Sequence, residues 1–227
     1  MAAAKKTVEL KPLEFEYVNF SIVGDSPLIV HAWSEKAKQM MLDAQTGAAK
    51  KAKREIKIPV NDFSDSLYWL TEQPPHGADN DEAERNVIEA IEGGARFGFP
   101  LSGIKQSIIS GASRGGLDVK MTELRGSMFL SGATDAATFE LAEIVGDKPL
   151  MREDMVRVGG MSKTADIRFR AEFRNWEIPL MLKYNKNGKY SLEQLLACVN
   201  HGGFVTGIGE WRPEKDGQYG CYHLKVD

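Results

Sequence analysis

Cysteine is almost missing from this chain. Only Cys198 and Cys221 occur among 227 residues, with no Cys-x-x-Cys pair and no ligand set at zinc spacing. That excludes a disulfide framework and a zinc-built core. It makes a cytoplasmic compartment the expectation. Long apolar runs are missing too, and the opening Met-Ala-Ala-Ala-Lys-Lys lacks the apolar stretch of a signal peptide, so no membrane partner is expected. A basic excess is also absent. Lys and Arg number 29 against 32 Asp and Glu, a formal charge of −3. This argues against a generic polycation but leaves room for a local basic stripe.

Catalytic signatures are equally sparse. The glycine-rich run Gly207-Ile-Gly-Glu-Trp-Arg-Pro213 lacks the Gly-Lys-Ser/Thr ending of a phosphate loop. The strand-turn-helix context of a dinucleotide fingerprint is missing as well. His76, His201 and His223 have no partnered nucleophile or metal set in sequence. His31, beside Trp33 and near Asp25, is the one candidate for acid–base work, and a lone histidine is more often structural. The expectation is a protein that is not an enzyme and has no cofactor or metal.

What remains is ordinary globular material, 42% hydrophobic and 27% charged, long enough to bury a core. Residues 13–23 alternate apolar and polar with a phase shift near Tyr17, which predicts a first strand carrying a bulge. Ser34 is placed to cap a helix through Ala44. Asp62 is placed to cap a short helix, and an acidic helix is predicted from Asp81 to Glu92. Ser102 is placed to cap a helix to Arg114, with Ile104 and Ile108 inside and Lys105 and Arg114 outside. Strands are predicted at 125–131, 138–145 and 165–184, and a long excursion at 146–164. Ser191 and Gln194 form a capping box, and Tyr219–Val226 reads as a last strand. Without the excursions the order is strand, helix, strand, strand, helix, strand. That predicts an α+β fold with an RRM-like or ferredoxin-like core, βαββαβ, and long insertions. Residues 1–23 and 99–227 would form the core, and 24–98 an inserted helical lobe.

Two stretches invite anions. Residues 48–57 carry Lys50, Lys51, Lys53, Arg54 and Lys57, a loop suited to a phosphate backbone, though most charge runs are merely solvated. In the long strand, Ile167, Phe169, Ala171 and Phe173 share one face, and Arg168, Arg170, Glu172 and Arg174 the other. Positions on that face recur about every 7 Å, three of the four carry guanidiniums, and their forks match phosphate oxygens. The competing reading is a solvated face with cross-strand ion pairs. Arg212 in the glycine-rich run is a further phosphate candidate, because glycines let backbone approach phosphate closely.

Three segments together resemble the repeat-associated (RAMP) superfamily, in particular the backbone subunits of CRISPR surveillance complexes. They are Phe99-Pro-Leu-Ser-Gly-Ile-Lys105 leading into its helix, Arg168-Phe-Arg170 running on to Trp176, and helix 191–200 followed by the Gly207–Gly220 loop. The resemblance spans most of residues 99–227. It implies an RRM-like palm with a helical lobe and a protruding loop. It also implies a non-catalytic subunit that binds single-stranded nucleic acid, RNA in preference to DNA, and assembles in several copies along a guide RNA beside other effector-complex subunits. Three alternatives stay open: a stand-alone single-stranded DNA-binding protein of a phage, an endoribonuclease of the same superfamily using His31, and a structural assembly protein whose arginines make protein contacts.

Overall fold

The computed structural model describes residues 12–47, 57–158 and 164–225. In chain order these form β1 (Phe15–Gly24), β2 (Leu28–Val30), α1 (Glu35–Thr46), α2 (Pro59–Ser66), α3 (Asn80–Glu92) and β3 (Phe97–Pro100). Then come α4 (Leu101–Arg114), α5 (Met121–Ser127), β4 (Met128–Gly132), β5 (Leu141–Gly146), β6 (Leu150–Val158) and β7 (Thr164–Phe173). The chain ends with β8 (Trp176–Asn185), α6 (Leu192–His201) and β9 (Tyr222–Leu224). The fold is α+β. No helix among the described residues is long and apolar enough to cross a membrane.

The main sheet is antiparallel, ordered β3-β5-β8-β1-β9, with β4 also paired to β8. β8 is its axis, and strict alternation explains why. Trp176, Ile178, Leu180, Leu182 and Tyr184 are buried while the residues between them are not. This places one complete apolar face under the helices. Ile104 and Ile108 of α4, Leu195 and Val199 of α6, and Ile22 of β1 complete that core. The Ser191–Gln194 capping box starts α6 as expected. The helices approach backbone to backbone: a Cβ on Gly111 would lie 2.5 Å from the Gly202 Cα.

Several expectations shift. The phase change near Tyr17 is not a bulge, because β1 pairs with β8 from Phe15 to Val23 without a break in register. Residues 121–127 are helical, so the strand expected from 125 starts at Met128; Leu124 is buried and anchors that helix. Pro100, without a side-chain cap, precedes α4, and Ser102 lies inside it. Ile58 precedes α2, leaving Asp62 in the first turn, while Asp79 caps α3. The last strand is only Tyr222–Leu224. The excursion at 146–164 contains β6, a nine-residue strand whose charges hide its alternation.

β6 pairs with β7, and β2 pairs with β7, making a second, three-stranded sheet. The stretch 165–184 is therefore two strands in two sheets, with the chain crossing between them at Arg174 and Asn175. β2, which lies in the inserted 24–98 segment, is stitched directly to β7.

Candidate nucleic-acid interface

The first turn of α4 faces a cavity of about 300 Å³. Ser102 and Gly103 line it, joined by Gln106 and Ser107 one turn on. The first amides of a helix have no acceptor within it, and they carry the positive end of its dipole. The opposite wall is the glycine-rich loop from Thr206 to Glu214. That loop is held firmly in place. Ile208 N–H donates to Gly220 O at 2.9 Å, Glu210 N–H to Ile29 O at 2.9 Å, and Gly220 N–H to Pro27 O at 2.8 Å. His31, Trp33 and Tyr68 also line the cavity, and Trp33 is 59% exposed. The Thr206 hydroxyl is buried without a hydrogen-bond partner.

Two carboxylates sit in this wall, and arginines hold both. Arg212 donates to Glu214 at 2.7 and 3.0 Å, and Arg114 adds a contact at 3.1 Å. Burial pushes the Glu214 pKa up, but hydrogen bonding from Arg212 and the charges of Arg212 and Arg114 pull it below the usual value. Arg170, only 2% exposed, reaches Asp154 at 3.3 Å and Glu210 at 3.9 Å, and its Nε has no partner.

The burial of Arg170 departs from the expected open cationic row. The glycine-rich loop reaches the face of Arg168, Arg170 and Arg174 at Arg170, through Glu210, and at Arg152, whose guanidinium lies 4.9 Å from the Tyr219 ring centroid, while Arg174 stays 66% exposed. Carboxylates lie beside every guanidinium on it. Arg168 is 3.8 Å from Asp166, and Arg174 is 3.3 Å from Glu172. The opposite face divides: Ala171 and Phe173 are buried, Phe169 is partly buried, and Ile167 is 41% exposed.

The other nominated residues scatter. Lys57 donates to Ile167 O, lies 3.4 Å from Asp62 and 3.6 Å from Asp166, and covers the Phe169 ring. Lys105 lies 4.9 Å from the centroid of Phe129, and burial lowers its pKa. Lys50, Lys51, Lys53 and Arg54 lie outside the described residues. The structure thus brings Arg212, Arg114 and Arg170 to the cavity's carboxylates, while Arg168 lies in β7, Arg174 just beyond its end, and Lys57 against it. Sequence reasoning missed Tyr68, Gln106, Thr206, Glu210 and Glu214. Only Glu210 and Glu214 carried a signal, flanking Arg212 two residues to either side.

His31 lies 3.9 Å from Glu210. Its pKa is pushed below the ordinary value, by burial first and by the Arg170 charge second, with Glu210 opposing. A folded pKa below the unfolded one means that this stabilisation is complete above about pH 6.5. It is lost as pH falls through that value towards the folded pKa. His31→Gln is expected to reduce the stability lost between about pH 7.5 and about pH 5.5. Urea midpoints of both proteins at the two pH values check this.

No family model matches the chain, and no curated protein matches it. Among solved structures it is similar to the crystal structure of Cmr6 from Pyrococcus furiosus, with a TM-score of 0.36 and 14% identity over 94% of this chain and 100% of that chain. A likeness of that strength carries no argument about function.

Proposed function

We propose that this chain is a non-catalytic subunit that binds single-stranded nucleic acid, RNA in preference to DNA, and grips the strand's backbone between α4 and the glycine-rich loop. One observation carries the reading. Phe99–Gly103 and Thr206–Glu214, about a hundred residues apart in sequence and both part of the resemblance to the RAMP superfamily, line one cavity. The Leu101 amide already donates to Glu140 O at 2.8 Å, but the Ser102 and Gly103 amides of α4 and the Arg212 fork suit phosphate oxygens. Trp33 and Tyr68 in the cavity lining offer rings on which bases stack. Arg212 also donates to Gly209 O at 2.9 Å; if it turns to a phosphate it gives up that bond, while Glu214 keeps Arg114.

The strand order supports an RRM-like core. The strands β9-β1-β8-β4 lie side by side, all neighbours antiparallel. In sequence they run β1, α4, β4, then β8, α6, β9, the arrangement of a split βαβ unit. Assembly in several copies along RNA, beside other effector subunits, follows from the superfamily resemblance. No catalytic role is assigned to His31, because no nucleophile is paired with it among the described residues that line its cavity.

Fluorescence anisotropy with labelled single-stranded RNA, single-stranded DNA and duplex tests the reading. Salt-sensitive binding of single strands, tightest for RNA and with the RNA uncut, is expected. Arg212→Ala and Trp33→Ala should each weaken it about tenfold. Absence of single-strand binding at low salt overturns the proposal, and cleavage of the bound RNA overturns its non-catalytic part.

A further inference from the structure

The main sheet has two faces, and the helices cover one. The other carries the odd-numbered residues of β1 and β8, and it exposes large rings: Phe15 is 46% exposed, Tyr17 59% and Phe129 54%. The register aligns them. Tyr17 of β1 and Phe129 of β4 both lie directly opposite Lys183 of β8, one on each side. The row ring–lysine–ring therefore spans two strand spacings, about 10 Å. The Lys183 ammonium sits 4.3 Å from the centroid of Phe15 and 5.7 Å from that of Tyr17. Lys105 lies over Phe129 at the far end of the row. The next row holds Asn19, Met181 and Ser131, two of which can hydrogen-bond base edges.

Charge distinguishes this face from the arginine-bearing one. Arg168, Arg170, Arg174 and Arg212 all have carboxylate neighbours. Lys183 and Lys105 have none within ion-pair distance among the described residues; their partners are rings. A cation held only by aromatic faces is available to an incoming anion, and the exposed rings offer stacking surface that any base can use.

We propose that this open face is a second single-strand contact of the protein, on which bases stack on Tyr17 and Phe129 while Lys183 meets the phosphate between them. The inference rests on the reading of the chain as a single-strand binder. It extends the bound strand from the cavity to a separate surface. A second copy of the chain is the poorer occupant. A two-fold contact through this patch would set the lysines of one copy against those of the other, and like charges across an interface oppose association.

Tyr17→Ala, Phe129→Ala and Lys183→Ala test it, because all three positions lie on the uncovered face and their loss leaves the core intact. Titration with labelled single-stranded oligonucleotides should show each ring variant binding roughly 5- to 150-fold more weakly, the worth of one stacked base. Lys183→Ala should weaken binding to all sequences and reduce the magnitude of the salt slope by about 1. An abasic oligonucleotide should bind both ring variants as it binds wild type. Wild-type affinity in all three variants, alongside weakened Arg212→Ala and Trp33→Ala, overturns the platform and leaves the cavity standing. Failure of the wild-type protein to bind any single strand removes both. A change in sedimentation of the three variants with unchanged binding assigns the face to contact between copies and overturns the proposal.

Discussion

Arg170→Ala is expected to lower folding stability by about 3–5 kcal/mol, the cost of removing one partner from a buried ion pair. Arg170 is among the largest fully buried side chains, and its guanidinium holds Asp154 and approaches Glu210. Its burial is not free. Loss of solvation depresses its pKa, with Glu210 and Asp154 opposing, and its Nε lacks a partner. A pair of this kind contributes little relative to an apolar pair of the same volume, yet breaking it strands a charge. Arg170→Met together with Asp154→Leu is therefore expected to recover most of the loss, since Arg152 keeps Glu172 at 2.6 Å. Urea denaturation of the single and double variants checks both statements. A loss under about 1 kcal/mol for Arg170→Ala, the scale of an exposed charge, would place the guanidinium in solvent.

The same residue shows where sequence reading reaches its limit. Strand period assigns Arg168, Arg170 and Arg174 to one face; β7 holds Arg168 and Arg170 and ends before Arg174. Period says nothing about what covers the face. Arg170 is met by Glu210 of the glycine-rich loop, some forty residues downstream, and the pairing strand is β6. Its Arg152, Glu153, Asp154 and Arg157 interrupt apolar alternation, so β6 reads as an excursion. Those charges are not random decoration: Arg152 binds Asp154 and, across the strands, Glu172, while Asp154 stands opposite Arg168.

Helices with local signals were legible. The Ser191 capping box and the apolar stripe of α4 depend on neighbours a few residues away. β1 was legible as a strand but misread in its faces. Phe15 and Tyr17 share one parity, and Val18, Phe20 and Ile22 share the other, so the pattern looks like a slip of register. The pairing with β8 is continuous. The phase change instead marks rings placed on the solvent side of an intact strand. The cavity shows the converse. Both of its walls were picked out separately, at 99–105 and 207–213, but their meeting depends on Gly111 and Gly202 letting α4 and α6 touch, a tertiary fact with no local trace.

The second large effect is expected at Trp176, where the two sheets diverge. Trp176→Ala should cost about 3–5 kcal/mol. The indole is 3% exposed, packs edge-on to Tyr222 with centroids 6.4 Å apart, and donates from Nε1 to Ser26 O at 2.9 Å. It therefore ties the first residue of β8 to the turn between β1 and β2, and through β2 to the second sheet. Trp176→Phe keeps part of the packing and loses the hydrogen bond, so an intermediate loss is expected, including about 1 kcal/mol for the bond itself. The ring also explains Gly24. A Cβ there would stand 2.3 Å from the indole Nε1, so Gly24→Ala should destabilise by about 1–3 kcal/mol through overpacking. If the clash with the indole is the cause, the two sites are coupled. Gly24→Ala should then cost less in the Trp176→Phe background than in wild type. Additive losses across that double-mutant cycle would show that Gly24 is required by its own backbone and not by the tryptophan.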